Sequence, residues 1–463
     1  MRWLPFLALA GLALGTPSGQ ALQPGQIVEK VVCTQAPAQS YALYLPSNYT
    51  PGRAWPVLYA FDAMARGLVP VERFRDAAER YGYIVAGSNN SRNGPIEVAD
   101  AALRAMLADT SARFSVDVER LYFTGFSGGA RVAVLAALGA GDRAAGVIGC
   151  GGGFPLGLQP AAGIPFAYLG VAGVDDFNYT EMHELDATLA RLSIPHRLEV
   201  FDGGHSWPSP EFCVRAIEWM EIQAIRTRSR GADDTLIDRI LARASGEAAA
   251  EEQAGRAVEA YRRYSALAAM MAGLRDVAPF ERKARELRAL PEVRSAVKEE
   301  ADSMPREKAA KERFARVVID ALEGEDRTLA MQELLRTVEE MRAQAERPRR
   351  DAGRMAARRV LVSSWSWMNE ENARDIEAGR PARAGERLSL MARIRPADAA
   401  VDYQRARALA LDGKKGAAID ALRSAVKKGF DDGAAIDAEP AFAPLRQERE
   451  FQEIVERLRR HGA

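Results

Sequence analysis

Short apolar runs alternate with amphipathic stretches over the first half of the chain. The amphipathic stretches at 71–81, 98–114 and 182–192 carry apolar residues at helical spacing. The apolar runs between them cover 41–45, 56–61, 83–86, 121–124, 146–149, 166–171 and 198–201. Apolar strands separated by helices indicate βαβ units. We therefore predict an α/β fold for this half, a doubly wound and mostly parallel sheet covered on both faces.

The pattern changes near residue 225. From there to the end, Ala, Arg, Glu and Leu dominate and β-branched runs nearly disappear, which predicts an all-α region. Prolines at 291, 305 and 348 punctuate a charged helical stretch without a sustained heptad, which favours short packed helices over a coiled coil.

The last stretch contains a repeat with an offset of about 34 residues, the tetratricopeptide period. The matched positions are Gly379 with Gly413, Ala384 with Ala418, and Leu388 with Leu422. Residues 350–463 therefore resemble a tetratricopeptide-type array of helical hairpins, with an unrelated helical bundle as the alternative. Such arrays bind peptides or proteins in a concave groove, so the resemblance implies a protein partner.

The N-terminus predicts export. An apolar run at 3–14 follows Arg2, is too short to span a bilayer, and leads to a small-residue cleavage site at 19–21. We expect a signal peptide at 1–21, a mature chain beginning near Leu22 and a periplasmic or secreted location; an uncleaved N-terminal anchor is the alternative. No later run is long and apolar enough to cross a membrane. The expected division is then 22–225 for the α/β domain, 226–349 for a helical connection and 350–463 for the repeats.

Charge and cysteine content exclude several classes of function. Lys plus Arg and Asp plus Glu both total 63, so no net field favours a nucleic-acid partner. The chain holds four His and no Cys-x-x-Cys pair, so we expect no metal site and no cofactor. Its three cysteines, Cys33, Cys150 and Cys213, allow one disulfide in an oxidising compartment, and the sequence does not choose the pair.

The strongest chemical signal is Gly125-Phe126-Ser127-Gly128-Gly129, a G-x-S-x-G sequence between a predicted strand and a predicted helix. A sharp strand-to-helix turn lifts a serine hydroxyl above the sheet and requires small neighbours, because the backbone approaches itself there. Ser127 is the predicted nucleophile. The same turn aims the Gly128 N–H at a developing oxyanion.

A serine needs a base, and the base needs an orienting acid. Among the histidines, His205 lies in the glycine-containing loop after the last predicted strand. The acid is expected after the preceding strand, where Asp175 and Asp176 compete; we favour Asp176, with Asp175 as the alternative. The order Ser127, Asp176, His205 is that of α/β-hydrolases.

With Gly125–Gly129 and the sequence from Gly203 to Pro208, residues 22–225 resemble secreted α/β-hydrolases related to polyhydroxybutyrate depolymerases and feruloyl-type esterases. More loosely, they resemble the catalytic domains of prolyl-oligopeptidase-type enzymes. The resemblance implies cleavage of a small-molecule or polymeric ester, or less readily of a peptide, through an acyl-enzyme. We favour an esterase because no gating domain precedes the hydrolase sequence.

One departure from these families concerns the second oxyanion donor. A His-Gly pair usually follows the third strand, whereas this chain has Asp62-Ala63-Met64. A main-chain N–H from Ala63 or Met64 still serves, but Asp62 brings a negative charge. Either Asp62 points away, pairing with Arg66, or activity is weak or specialised. In the second case an inactive hydrolase domain in an interaction scaffold is the alternative function.

Polar and aromatic residues near the same sheet edge are candidates for binding the substrate. Arg92 is an anion contact in the loop after the strand at 83–86, and Trp207 is a platform beside His205. An ordinary turn and simple packing are the respective alternatives. The full predicted set is Asp62, Asn89, Asn90, Arg92 and Trp207.

Overall fold

The computed structural model describes residues 22–348 and 351–461. By internal contacts the chain divides into two compact units, one ending at Asp302 and the other beginning at Ser303. The predicted signal peptide lies outside the described residues. The predicted domain boundaries at 225 and 349 stay predictions, while the division by contacts falls inside the stretch that was expected to connect two domains.

The first unit is built on one eight-stranded sheet among its described residues, in the order β1-β2-β4-β3-β5-β6-β7-β8. β2 pairs antiparallel with both β1 and β4, and all other pairs are parallel. The predicted fold class, an α/β-hydrolase sheet followed by helices, is confirmed. The strands are β1 Ile27–Cys33, β2 Ala36–Tyr44, β3 Trp55–Asp62, β4 Ile84–Ser88, β5 Val116–Phe126, β6 Ala144–Cys150, β7 Ala167–Gly173 and β8 His196–Phe201.

Helices cover both faces of this sheet, as its apolar strands require. α1 and α5 contribute to the core on one face, and α2, α3 and α4 to the core on the other. Central strands such as β3 are buried along their whole length. The five helices are α1 Leu68–Tyr81, α2 Ile96–Arg113, α3 Gly128–Ala140, α4 Tyr179–Arg191 and α5 Pro210–Arg226.

The sequence pattern missed one strand, β1. It is an edge strand with exposed Glu29 and Lys30, and its pairing with β2 shifts between Val28 and Val31. Such a bulge breaks the period of two by which strands are recognised. β1 therefore lacks both the continuous apolar run and the clean alternation on which the prediction relied.

Helices after residue 226 still belong to the first unit. α6 and α7 add Leu236, Ile240, Leu267 and Met271 to the core beneath α5. These helices, together with the next one, are α6 Asp234–Gln253, α7 Ala257–Met271 and α8 Ala278–Arg288. No helix of the described chain is both long and apolar enough to traverse a lipid bilayer.

A long helix, α9 Pro291–Glu323, runs through Pro305 and through the division between the two units. The expectation of short helices punctuated by proline fails here, because Pro305 lies inside the helix. Proline inside a helix removes one backbone hydrogen bond without necessarily ending it.

The second unit continues with helices only, among the residues described. Consecutive helices pack on each other from α10 to α14. These elements are α10 Arg327–Ala345, α11 Ala352–Glu377, α12 Pro381–Ile394, α13 Ala399–Leu411, α14 Lys415–Lys427, α15 Gly433–Ala438 and α16 Arg449–His461.

Positions matched by the sequence repeat have matching environments in this unit. Gly379 follows α11 and Gly413 follows α13, with φ of 69° and 75°. The paired alanines and leucines, Ala384 with Ala418 and Leu388 with Leu422, are buried at no more than 1% exposure. The α11–α12 hairpin thus recurs as α13–α14.

Candidate active site

Ser127 sits at the sharp turn between β5 and α3. Its φ of 57° and ψ of −120° lie outside the regions that L-residues ordinarily adopt. Its N–H donates to the carbonyl of Cys150 at 2.8 Å, and its own carbonyl accepts from Ala130 at 3.0 Å. The neighbouring strand and the new helix therefore hold the strained conformation from both sides.

The positions two residues before and two residues after Ser127 require glycine, because neighbouring backbone atoms leave no room for a side chain. A Cβ at Gly125 would lie 2.1 Å from the carbonyl oxygen of Gly129, and one at Gly129 would lie 2.2 Å from that of Phe61. Both obstacles are backbone atoms. The G-x-S-x-G spacing thus reflects the close approach of β5, α3 and β3 at the turn.

His205 and Asp176 face each other across the ends of β7 and β8. Nδ1 of His205 lies 2.9 Å from Oδ1 of Asp176. The Asp176 side chain is 1% exposed and that of His205 is 17% exposed. The same Oδ1 accepts from the N–H of Asn178 at 2.8 Å. The carboxylate is thus held in place by the loop that carries it.

Gly173 allows these two loops to meet. A Cβ at Gly173 would lie 2.3 Å from the carbonyl oxygen of Gly203. The N–H groups of Val174 and Asp175 donate to Phe201 and Gly203, each at 2.9 Å. The backbone of the acid loop is therefore joined to that of the histidine loop. Asp176 is directed at His205, while the main chain of Asp175 serves this junction.

The pair lies directly beside the nucleophile turn. The rings of Phe126 and His205 are 4.5 Å apart between centroids, and Phe177 covers the imidazole at 4.1 Å. A Cβ at Gly151 would lie 2.9 Å from Oδ2 of Asp176 and 3.1 Å from Cε1 of His205. Gly151 directly follows the residue that accepts from Ser127. The structure thus places the Asp176–His205 pair beside the turn that carries Ser127, at one edge of the sheet.

The predicted oxyanion donors are also at this edge. Asp62 of β3 pairs with Phe126 of β5, so Ala63 is level with Ser127. The N–H of Met64 donates to Oδ1 of Asp62 at 2.8 Å. Ala63 is therefore the better placed of the two main-chain donors considered, and Gly128 begins α3 on the other side.

Asp62 does not present its charge to the site. It is fully buried and accepts two hydrogen bonds from Arg66 and one from the Trp207 indole N–H. Burial raises its pKa, but the donors Arg66, Trp207 and Met64 outweigh burial and hold the pKa below its usual value. Pairing with Arg66, one of the two readings of the sequence, is the arrangement present.

The structure places three predicted substrate contacts elsewhere. Asn89 donates to the carbonyl of Glu29 at 3.0 Å. Asn90 accepts from the N–H of Ser40 at 2.8 Å and donates to the carbonyl of Ala38 at 3.1 Å. Both side chains fasten their loop to β1 and β2. Trp207 is 7% exposed and packs between Phe74 and Phe126, so it offers no open platform.

Two residues of the β4 loop do lie on the side of Ser127. Arg92 is exposed, and its main chain pairs with that of Met64. Asn93, which the sequence reasoning did not single out, donates its N–H to the carbonyl of Ala63 at 2.8 Å. Its Oδ1 lies 1.7 Å from where a Gly128 Cβ would be. Asn93 thus stands between the two candidate oxyanion donors.

The three cysteines of the chain are buried thiols. Cys33, Cys150 and Cys213 are buried and unpaired. Burial raises the pKa of Cys150 to about 12, so this thiol stays protonated despite being next to Gly151. Within 22–348 and 351–461 there is no cluster of three or more metal-binding side chains.

Similar proteins were sought among family models, curated proteins and solved structures. No family model and no curated protein matches. The serine hydrolase FphF of Staphylococcus aureus, determined with substrate bound, is 16% identical over 42% of this chain and 98% of its own, with a TM-score of 0.34. A ferulic acid esterase is 17% identical over 42% of this chain and 95% of its own, with a TM-score of 0.35.

A third solved structure is an esterase of Pyrobaculum calidifontis. It is 12% identical over 44% of this chain and 87% of its own, with a TM-score of 0.36. At such identities and scores the likeness carries no weight for function, which therefore rests on the residues of the site.

Proposed function

We propose that the first unit is a serine hydrolase that cleaves carboxylic esters. The observation that carries the proposal is the Asp176–His205 pair, in which Oδ1 of Asp176 lies 2.9 Å from Nδ1 of His205. This pair lies beside Ser127, which is held at a φ of 57° on a strand-to-helix turn. A strained serine, an imidazole and a buried carboxylate at one sheet edge are the parts of a nucleophilic hydrolase.

The mechanism follows from these positions. With its Nδ1–H donated to Asp176, His205 keeps the Nε2 lone pair and takes the proton of Ser127 as the hydroxyl attacks the ester carbonyl. Main-chain N–H groups of Gly128 and Ala63 stabilise the tetrahedral oxyanion. His205 then protonates the departing alkoxide, and the acyl group stays on Ser127. Water attacks the acyl-enzyme with His205 again as the base, which releases the acid and restores Ser127.

An ester is the expected substrate, with a peptide second. An alkoxide leaves a tetrahedral intermediate more readily than an unprotonated amine nitrogen, which has to receive a proton before it departs, so the same three side chains cleave esters with less help from the rest of the site. Asp62, whose charge was the reason to consider an inactive domain, is neutralised by Arg66 and hydrogen-bonded to Trp207.

A fluorophosphonate probe on the full chain tests the proposal. We expect covalent labelling of the wild type, loss of labelling in Ser127→Ala and in His205→Ala, and unchanged labelling in the matched control Ser111→Ala on the exposed face of α2. Short acyl esters, polyesters and dipeptide amides then define the substrate. A folded wild type without labelling, or labelling that survives Ser127→Ala, would refute the proposal.

We further propose that the recurring α11–α12 and α13–α14 hairpins form a tetratricopeptide-type surface for a protein partner. The near-complete burial of both Leu388 and Leu422 and the recurrence of Gly379 at Gly413 support this. Affinity capture followed by mapping to residues 351–461 tests it; a partner that binds only residues 22–302 would contradict it.

Export is the third part of the proposal, supported by the apolar run at 3–14 and the small-residue site at 19–21. N-terminal sequencing of the exported protein is expected to begin near Leu22. A mature chain that retains residues 1–21 would favour an uncleaved anchor.

A further inference from the structure

Asp62 joins two loops that are far apart in sequence. It directly precedes Ala63, the candidate oxyanion donor, and its Oδ2 accepts from the Nε1–H of Trp207 at 2.8 Å across 145 positions. Trp207 lies two residues after His205. We call the Asp62–Trp207 hydrogen bond the loop bridge, because it links the loop after β3 to the loop that carries the base.

The loop bridge is built from buried groups. Asp62 is 0% exposed and Trp207 is 7% exposed. A buried carboxylate is costly unless several donors satisfy it, and removing one donor leaves part of that cost uncompensated. Arg66 and the N–H of Met64 are donors from the same loop, within four residues of Asp62. Among the described residues, Trp207 alone brings a side-chain donor to Asp62 from a distant element.

The indole also reaches the imidazole through a third ring. Phe126 lies 5.7 Å from Trp207 and 4.5 Å from His205 between ring centroids. Phe126 immediately precedes Ser127 and pairs with Asp62 in the sheet. The fixed indole therefore supports the aromatic ring against which the His205 imidazole rests, and its hydrogen bond sets the distance to the oxyanion loop.

We propose that Asp62 and Trp207 are positioning residues that hold the oxyanion donor and the base in register on either side of Ser127. The inference rests on the proposed hydrolase function and adds residues that the triad does not include. Donor and base have to be placed within a fraction of an ångström for the transition state, so the loop bridge acts on the chemical step. Both side chains are buried, so we expect their loss to leave substrate binding nearly unchanged.

The test removes the indole donor while keeping an aromatic ring, by Trp207→Phe. The matched control is Trp55→Phe at the opposite end of β3, since Trp55 is also buried and donates one indole hydrogen bond, to the carbonyl of Thr50 at 2.8 Å. Ester hydrolysis gives kcat and KM. Hydrogen exchange followed by mass spectrometry gives the opening of 62–66 and of 203–207 without requiring activity.

We expect Trp207→Phe to lower kcat about tenfold, the effect of losing one hydrogen bond to a charged group, with KM within about twofold. Exchange should rise in 62–66 as well as in 203–207. Trp55→Phe should leave kcat and both segments unchanged. Asp62→Ala, which removes the acceptor, should lower kcat too, and the double variant should lower it by less than the product of the single effects, because both changes break the same bond.

The outcomes separate this inference from the proposed function. A wild type that fluorophosphonate does not label refutes the hydrolase, while the exchange data still decide whether the two loops are coupled. If the hydrogen-exchange rate of 62–66 is the same in Trp207→Phe as in the wild type, the loop bridge is overturned. Faster exchange with unchanged kcat overturns its positioning role, as does a loss that appears in KM alone.

Discussion

The loops after β7 and β8 differ from the loop after β4, although all three are polar and lie at the same edge of the sheet. Asp176 and His205 face each other, because Gly173 lets the two backbones touch. Asn89 and Asn90 turn away, because β2 and then β1 lie on that side of β4 and offer them main-chain partners. A sheet edge determines which loops gather; the neighbouring backbone determines which way their side chains point.

The largest expected effect concerns the two adjacent aspartates. Asp176→Asn removes the charge that fixes the His205 tautomer, and we expect kcat to fall by about 10⁴-fold. Asp175→Asn should change kcat by no more than a few-fold, because its backbone N–H bond to Gly203 remains. Steady-state ester hydrolysis measures both. Equal losses in the two variants would contradict the difference between the residues.

A smaller effect on kcat/KM should distinguish Asn93 from Asn90, two asparagines of the loop after β4. Asn93→Ala should lower kcat/KM by about tenfold, since its amide stands beside Gly128 and Ala63, where the oxyanion forms. Asn90→Ala should leave kcat/KM unchanged and lower the free energy of unfolding by about 1 kcal/mol, because it loses its bonds to β2.

Ester kinetics and urea unfolding on the same two preparations give this comparison. A catalytic loss in Asn90→Ala with none in Asn93→Ala would reverse the assignment of these side chains.

The smallest expected effect is the pH dependence of stability from Asp62. Its pKa in the folded chain lies below the ordinary value of 3.8, so the unfolded chain takes up the proton first as the pH falls. The stabilisation is therefore complete above about pH 5 and is lost as the pH falls through the folded pKa.

Urea unfolding of wild type and Asp62→Asn, from pH 7 to pH 3, measures this. We expect a constant difference in unfolding free energy down to about pH 5 and a shrinking one below it. A difference that stays constant to pH 3 would show that the Asp62 carboxylate is not the titrating group.

The sequence predicted the sheet well where its strands are central, because both faces of such strands are buried and apolar. It missed β1, whose bulge and exposed face remove both signals. The chemistry around Ser127 was accessible because G-x-S-x-G is a local requirement of one turn. The choice of Asp176 rested on loop position, and the contact that distinguishes it from Asp175 is made across two strands.

The sequence pattern did not predict the roles of Asp62, Trp207 and Asn93. Asp62 and Trp207 are 145 residues apart, and nothing in either local sequence indicates their hydrogen bond. Asn93 follows two asparagines of the same loop, and composition does not distinguish the one beside Gly128 from the two that bond to the main chain of β1 and β2. The sequence signal that bears on Asn93 is Gly128. This position has to be glycine because the Asn93 side chain occupies the space that a Cβ at residue 128 would need.

The backbone of Ser127 has a further consequence. An L-residue at φ 57° and ψ −120° is held there at a penalty of about 1–3 kcal/mol, which glycine would largely escape. Ser127→Gly would therefore yield a more stable protein that lacks hydrolase activity. A screen of variants of this chain for thermal stability alone is therefore biased towards inactive variants. A selection for stability has to measure ester hydrolysis on the same variants.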